Sequence, residues 1–186
     1  MNANDTIESE DLSNIIFITG GTKSGKSEFA EYLAKKVKKL SYVALSENNI
    51  DDVDWQEKIN LHRKRRPKDW NLIETTDLLH TLSKENGPLL IDSIGGFVME
   101  SIEKKHKEWL AKMYSLINHL KKRRSSTFIV GEQVGWSLVS EYKIGNTYIE
   151  RIGELQKRIT KISKDNWLAI NGRAIKIDEI SLEIPT

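Results

Sequence analysis

The chain contains no cysteine, which excludes disulfides, thiolate zinc sites and cysteine nucleophiles outright. It also lacks any apolar run approaching the ~20 residues of a membrane-spanning helix. Neither sign of charge dominates: 29 lysines and arginines face 27 acids, for a net charge of +2. Global electrostatics therefore give no reason to expect nucleic acid or a membrane surface as the main partner. Residues 1–13 are acidic through Asp11, with no basic start and no apolar stretch, so they do not read as a secretory signal. They are expected to form a flexible, solvated N-terminal extension of a cytoplasmic protein, with residues 14–186 forming one domain.

What is present fits an ordinary folded α/β protein, 38% hydrophobic and 30% charged over 186 residues. Ile15-Ile16-Phe17-Ile18-Thr19 is a short apolar run ending in glycines, the pattern of a buried parallel strand. A helix is expected from about Lys26, with Phe29, Leu33 and Val37 on one face. Ser41–Leu45 returns as a second strand, 46–53 as a loop, and 54–65 as a charged helix stopped by Pro67. A helix over 76–85 precedes Pro88–Asp92, read as the third buried strand. Residues 97–122 read as one long helix, 126–130 as a fourth strand, and 145–164 as a closing helix. Asn171-Gly172 between Trp167–Ile170 and Ala174–Ile177 is a strong hairpin signal. Strands alternating with helices imply a mostly parallel central sheet covered by helices on both faces, with a C-terminal antiparallel hairpin.

Gly20-Gly21-Thr22-Lys23-Ser24-Gly25-Lys26-Ser27 matches G-x-x-x-x-G-K-S in full, between a strand and a helix. In such a P-loop, backbone N–H groups close around phosphate oxygens and the helix N-terminus adds its positive pole. Lys26, expected to be exposed in the loop, would reach the outer phosphates of ATP or GTP, and the Ser27 hydroxyl would ligate Mg²⁺. Asp92, ending an apolar strand, is a second magnesium-side group, the N-cap of the helix that follows, or simply a solvated strand-end acid. His62 stands in the basic run His62-Arg63-Lys64-Arg65-Arg66. Nearby cations favour a neutral, nucleophilic imidazole. Taken alone, however, a histidine in a basic helix is an ordinary surface residue.

Together these residues resemble the adenosylcobinamide kinase / adenosylcobinamide-phosphate guanylyltransferase family of cobalamin biosynthesis, from Ile16 to Ile177. The P-loop matches the family's G-G-x-x-S-G-K-S. Asp52, Asp54, Ile59, His62, Arg66, Pro67, Trp70 and Glu74 fall at the spacing of its second characteristic stretch. Leu89–Asp92 matches the strand carrying the acid, and Val134-Gly135-Trp136 a later turn. The resemblance implies that His62 becomes covalently guanylylated, with Arg63, Lys64, Arg65, Arg66 and Glu74 around the guanine nucleotide. It also implies adenosylcobinamide as the corrinoid substrate, and a homotrimer. The chain departs from the family in several places. Glu132-Gln133 stands where the family has Asn-Glu, Lys58 where it has Arg, and Ser140-Glu141-Tyr142 where it has Pro-Glu-Asn. A divergent nucleotide-binding regulatory paralogue, or a kinase of another small metabolite, are the readings those departures leave open.

Overall fold

A computed structural model describes residues 14–45, 66–136 and 140–185. The expected N-terminal extension, the 46–53 loop, the 54–65 helix, His62 and Arg63 to Arg65 lie outside the described residues. A seven-stranded sheet runs β3-β2-β4-β5-β1-β6-β7. Its strands are β1 (Ile15–Gly20), β2 (Ser41–Ala44), β3 (Asn71–Glu74), β4 (Leu89–Asp92), β5 (Thr127–Glu132), β6 (Asp165–Ile170) and β7 (Arg173–Lys176). All neighbouring strands pair parallel except β6 and β7. The mostly parallel sheet and its antiparallel closing hairpin are as the sequence pattern predicts. At the hairpin turn, Asn171 and Gly172 both have positive φ, the conformation an Asn-Gly turn supplies.

Alternate residues of the central strands feed two cores. Phe17, Val43, Leu89, Ile91 and Ile129 face one side, against α2 (Leu78–Lys84), α3 (Gly95–Glu100), α4 (His106–Lys122) and α5 (Lys143–Ile162). Ile18, Tyr42, Leu90, Phe128 and Val130 pack with α1 (Lys26–Ala34) on the other. Burial on both faces is why these strands read as unbroken apolar runs. Helix α4 buries Trp109, Met113, Leu116, Ile117 and Leu120, a stripe at helical spacing.

Several boundaries differ from expectation. The helix expected over 97–122 is broken between Glu100 and His106. The buried guanidinium of Arg151 donates to the carbonyls of Ser101, Ile102 and Lys104, satisfying acceptors that a continuous helix would have used itself. Glu108 then accepts the Lys105 N–H at 2.9 Å and starts α4 afresh. A strand at 71–74 was not expected, and it makes the Asp92 strand the fourth. The α1 helix ends at Ala34, so Val37 packs from the following turn, and the faces that α1 buries completely are Ala30, Glu31 and Ala34.

Candidate functional site

The parallel strands end together along one edge of the sheet, where open α/β sheets bind ligands. Strand β1 leads there into the glycine-rich loop. Gly25 adopts φ +92°, a left-handed turn that an L side chain rarely takes, and α1 starts at the next residue. Lys26 is therefore the first residue of the helix and half-buried, not exposed in the loop as expected. Its ammonium folds back to donate to the Gly21 carbonyl at 3.0 Å. Thr22 and Lys23 are exposed, while Ser24 is buried with no hydrogen-bond partner for its hydroxyl. An orphaned buried hydroxyl inside a glycine-rich turn of this kind suits a ligand rich in acceptor oxygens. The hairpin turn braces this loop from outside, Gly172 donating its N–H to the Ser24 carbonyl at 3.0 Å.

Asp92 is drawn into the same place. Ser27 donates to its Oδ1 at 3.2 Å and Tyr42 donates to its Oδ2 at 2.7 Å. It does not cap the next helix: the N-cap position of α3 is Ile94, with no side-chain cap. Of the roles the sequence leaves open, the geometry excludes the cap, and the bonds from Ser27 and Tyr42 exclude a merely solvated acid. Tyr42 is held far above the ordinary phenol range by burial and then by the Asp92 charge, so it stays a donor. Its ring carries the Arg66 guanidinium 3.3 Å from the centroid and stacks on Trp70. Arg66 Nε also lies 3.7 Å from Oε1 of Glu31 on α1. Arg66 is thus fixed between β2 and the P-loop helix. Glu74 ends β3 in register with Ala44, whose other neighbour is Asp92. Two strand spacings, about 10 Å, separate the two acids.

Asp92 and Ser27 present only oxygen, the donor type that magnesium prefers. Among the described residues no group of His, Cys, Asp or Glu could cage a metal ion without help. A magnesium held by few protein groups, with phosphate oxygens and water completing its shell, fits that arrangement.

Nothing in the sequence marks Glu132 as a site residue. Strand β5 runs to Glu132, two residues past the expected end, and places it in register with Gly20. Its carboxylate accepts from the Ser93 hydroxyl and, at 3.1 Å, from the Gly95 N–H. Burial raises its pKa to about 7, with the Asp92 charge adding to the rise and Lys26 opposing it. The Tyr148 hydroxyl reaches the same point from α5: a Cβ at Gly95 would overlap both it and the Glu132 carboxylate. A strand-end acid is visible in the sequence, but its burial depends on Gly95 and Tyr148, which nothing local connects to it.

The family model for cobinamide kinase / cobinamide phosphate guanyltransferase matches residues 16–177. The chain belongs to this family. The match runs from the P-loop strand through the hairpin, so it takes in every part of the site just described. By that membership the chain is a nucleotide-using enzyme of cobalamin biosynthesis. Curated relatives include the bifunctional adenosylcobalamin biosynthesis protein CobU of Escherichia coli K12, 25% identical over 88% of this chain and 99% of that protein. The protein of the same name from Salmonella typhimurium LT2 is 26% identical over the same shares. Among solved structures, one from Pyrococcus horikoshii OT3 superposes with a TM-score of 0.52 at 8% identity, covering 95% of this chain and 92% of that one. That likeness speaks to the fold alone. Among the described residues no helix is long and apolar enough to cross a membrane.

Proposed function

We propose that the enzyme phosphorylates adenosylcobinamide and then transfers GMP from GTP to adenosylcobinamide phosphate through a guanylylated His62. The observation that carries the first half is the Ser27–Asp92 pair, 3.2 Å apart beside a complete P-loop at the sheet's carboxyl edge. In this reading Gly20 to Ser27 wrap the triphosphate of ATP or GTP with backbone N–H groups. Lys26 leaves the Gly21 carbonyl and swings to the outer phosphates. Ser27 and Asp92 would hold Mg²⁺, whose charge would offset that of the phosphates. Tyr42 keeps Asp92 oriented by its hydrogen bond. Catalysis in this half is chiefly positioning and charge stabilisation.

The second half rests on the resemblance, which makes His62 the nucleophile. Its imidazole nitrogen attacks the α-phosphorus of GTP, a P–N bond forms, the α–β bridging bond breaks, and pyrophosphate leaves. The phosphate oxygen of adenosylcobinamide phosphate then displaces the histidine and takes the GMP. Dividing the transfer in this way replaces one hard step with two easier ones. Arg63, Lys64, Arg65 and Arg66 supply cationic partners for the phosphates, and Glu74 a contact for the guanine nucleotide. Arg66 follows His62 by four residues in the sequence and is itself anchored to α1 and β2. A single folded domain over 14–186, a homotrimer and a cytoplasmic setting belong to the same proposal.

The test is a two-stage reaction with purified protein. Adenosylcobinamide with ATP and Mg²⁺ should gain one phosphoryl group, and later addition of GTP should convert that product to the GDP-linked corrinoid. If the corrinoid is unchanged with either nucleotide, the proposal fails.

A further inference from the structure

The kinase half-reaction needs a group to receive the proton of the attacking hydroxyl, and neither Lys26 nor Ser27 is suited to that. Lys26 is a cation aimed at phosphate, and Ser27 donates to Asp92. Asp92 is committed in that reading to the magnesium, with Ser27 and Tyr42 donating to its two oxygens.

Glu132 is differently placed. Strand β5 lies between β1, which carries the P-loop, and β4, which carries Asp92. Register puts Glu132 beside Gly20, and the Gln133 N–H donates to the Gly20 carbonyl at 2.9 Å, locking the two strand ends together. Its carboxylate is turned to the β4 side, where Ser93 and Gly95 donate to it. The charged or titratable groups facing it are Asp92 from β4, Lys26 from α1 and Tyr148 from α5. The Ser93 hydroxyl and the Gly95 N–H are neutral donors, and a carboxylate's two oxygens offer about four lone-pair sites between them, room for a further hydroxyl.

We propose that Glu132 binds the acceptor hydroxyl of the kinase step and takes its proton. The inference rests on the kinase reading above. The hydroxyl oxygen attacks the γ-phosphorus of ATP and a new P–O bond forms. The bond from that phosphorus to the β–γ bridging oxygen breaks and ADP leaves. The hydroxyl proton passes to a Glu132 carboxylate oxygen and then to water. A carboxyl whose pKa lies near 7 suits both taking and releasing that proton at neutral pH. The Ser93 hydroxyl and the Gly95 N–H hold the carboxylate at a fixed angle, so they act as positioning groups.

Steady-state phosphorylation of adenosylcobinamide by ATP tests this with wild type, Glu132→Gln and Glu132→Asp. The glutamine keeps the shape, can accept from the Gly95 N–H through its oxygen and donate to the Ser93 hydroxyl through its amide, but cannot take the proton, so kcat should fall by about 10²–10⁴-fold. The KM for ATP should stay within about threefold, because the group acts in the transition state and not on nucleotide binding. Glu132→Asp keeps the base but withdraws it by one methylene, and should fall between wild type and Glu132→Gln. It also serves as the informative variant if the glutamine protein does not fold. A Glu132→Gln kcat within about threefold of wild type overturns the assignment while leaving the kinase reading intact. A folded Glu132→Asp protein less active than Glu132→Gln also overturns it. Wild-type protein that never phosphorylates the corrinoid overturns both.

Discussion

Tyr42 and Asp92, fifty residues apart in sequence, meet at 2.7 Å where β2 and β4 end side by side. The phenol is buried, cannot ionise near neutral pH, and so always donates to the carboxylate. On its other side the same ring receives the Arg66 guanidinium. One side chain therefore joins the acid beside the P-loop to the end of the basic segment that carries His62.

Replacing Tyr42 by Phe keeps the ring under Arg66 and removes only the hydroxyl. A hydrogen bond to a charged, half-buried acceptor contributes about 1–3 kcal/mol, so urea unfolding should show a loss of that size. An unchanged unfolding midpoint would mean that Asp92 finds an equivalent donor without Tyr42.

Asp92→Asn tests the proposed magnesium role. ATP affinity measured with Mg²⁺ should weaken by at least about tenfold, or ~1.4 kcal/mol, and affinity measured in EDTA should change much less. Equal losses in the two conditions would assign Asp92 to structure alone. Lys26→Ala is the companion variant: it should lose triphosphate binding with and without metal and keep its melting temperature within a few degrees.

Glu132 makes the stability of the ligand-free protein depend on pH. Its pKa is raised from 4.5 to about 7 on folding, so the folded state holds this proton more tightly than the unfolded state. Between those values the unfolded chain has released the proton and the folded chain has not. Stability from this group is therefore present at low pH and falls as pH rises from about 4.5 to about 7. The full effect is about 3 kcal/mol as an upper bound, because solvent reaches part of the carboxyl. Urea unfolding at intervals from pH 5 to pH 8 should show this slope in wild type, and a shallower one in Glu132→Gln. Parallel curves for the two proteins would contradict the shift.

The parts of this site that were legible in the sequence are those whose chemistry is contiguous. The P-loop declares itself because strand, glycines, Lys26 and Ser27 follow one another, and the hairpin because Asn171-Gly172 encodes its own turn. Asp92 was visible as an acid ending an apolar run, though its pairing with Ser27 was not. Tyr42 reads only as strand in the sequence, since its hydroxyl finds its partner across a sheet neighbour far away in the chain. Strand β3 escaped because an edge strand needs little apolar content, and Leu72 and Ile73 alone set no pattern. The break before α4 was illegible for a similar reason. The group that satisfies its free carbonyls is Arg151, from another helix. Glu132 shows the same limit at the site itself: a carboxylate's neighbours, and not its place in the chain, decide how tightly it holds a proton.

The most direct test of the central claim is the intact mass of the protein after incubation with GTP and Mg²⁺. Wild type should gain the mass of one GMP, and acid should remove it while alkali leaves it, as expected of a bond between phosphorus and an imidazole nitrogen. His62→Ala should gain nothing and still bind nucleotide through Gly20 to Ser27. Wild-type protein that stays at its own mass, or His62→Ala protein that gains GMP, would contradict the account.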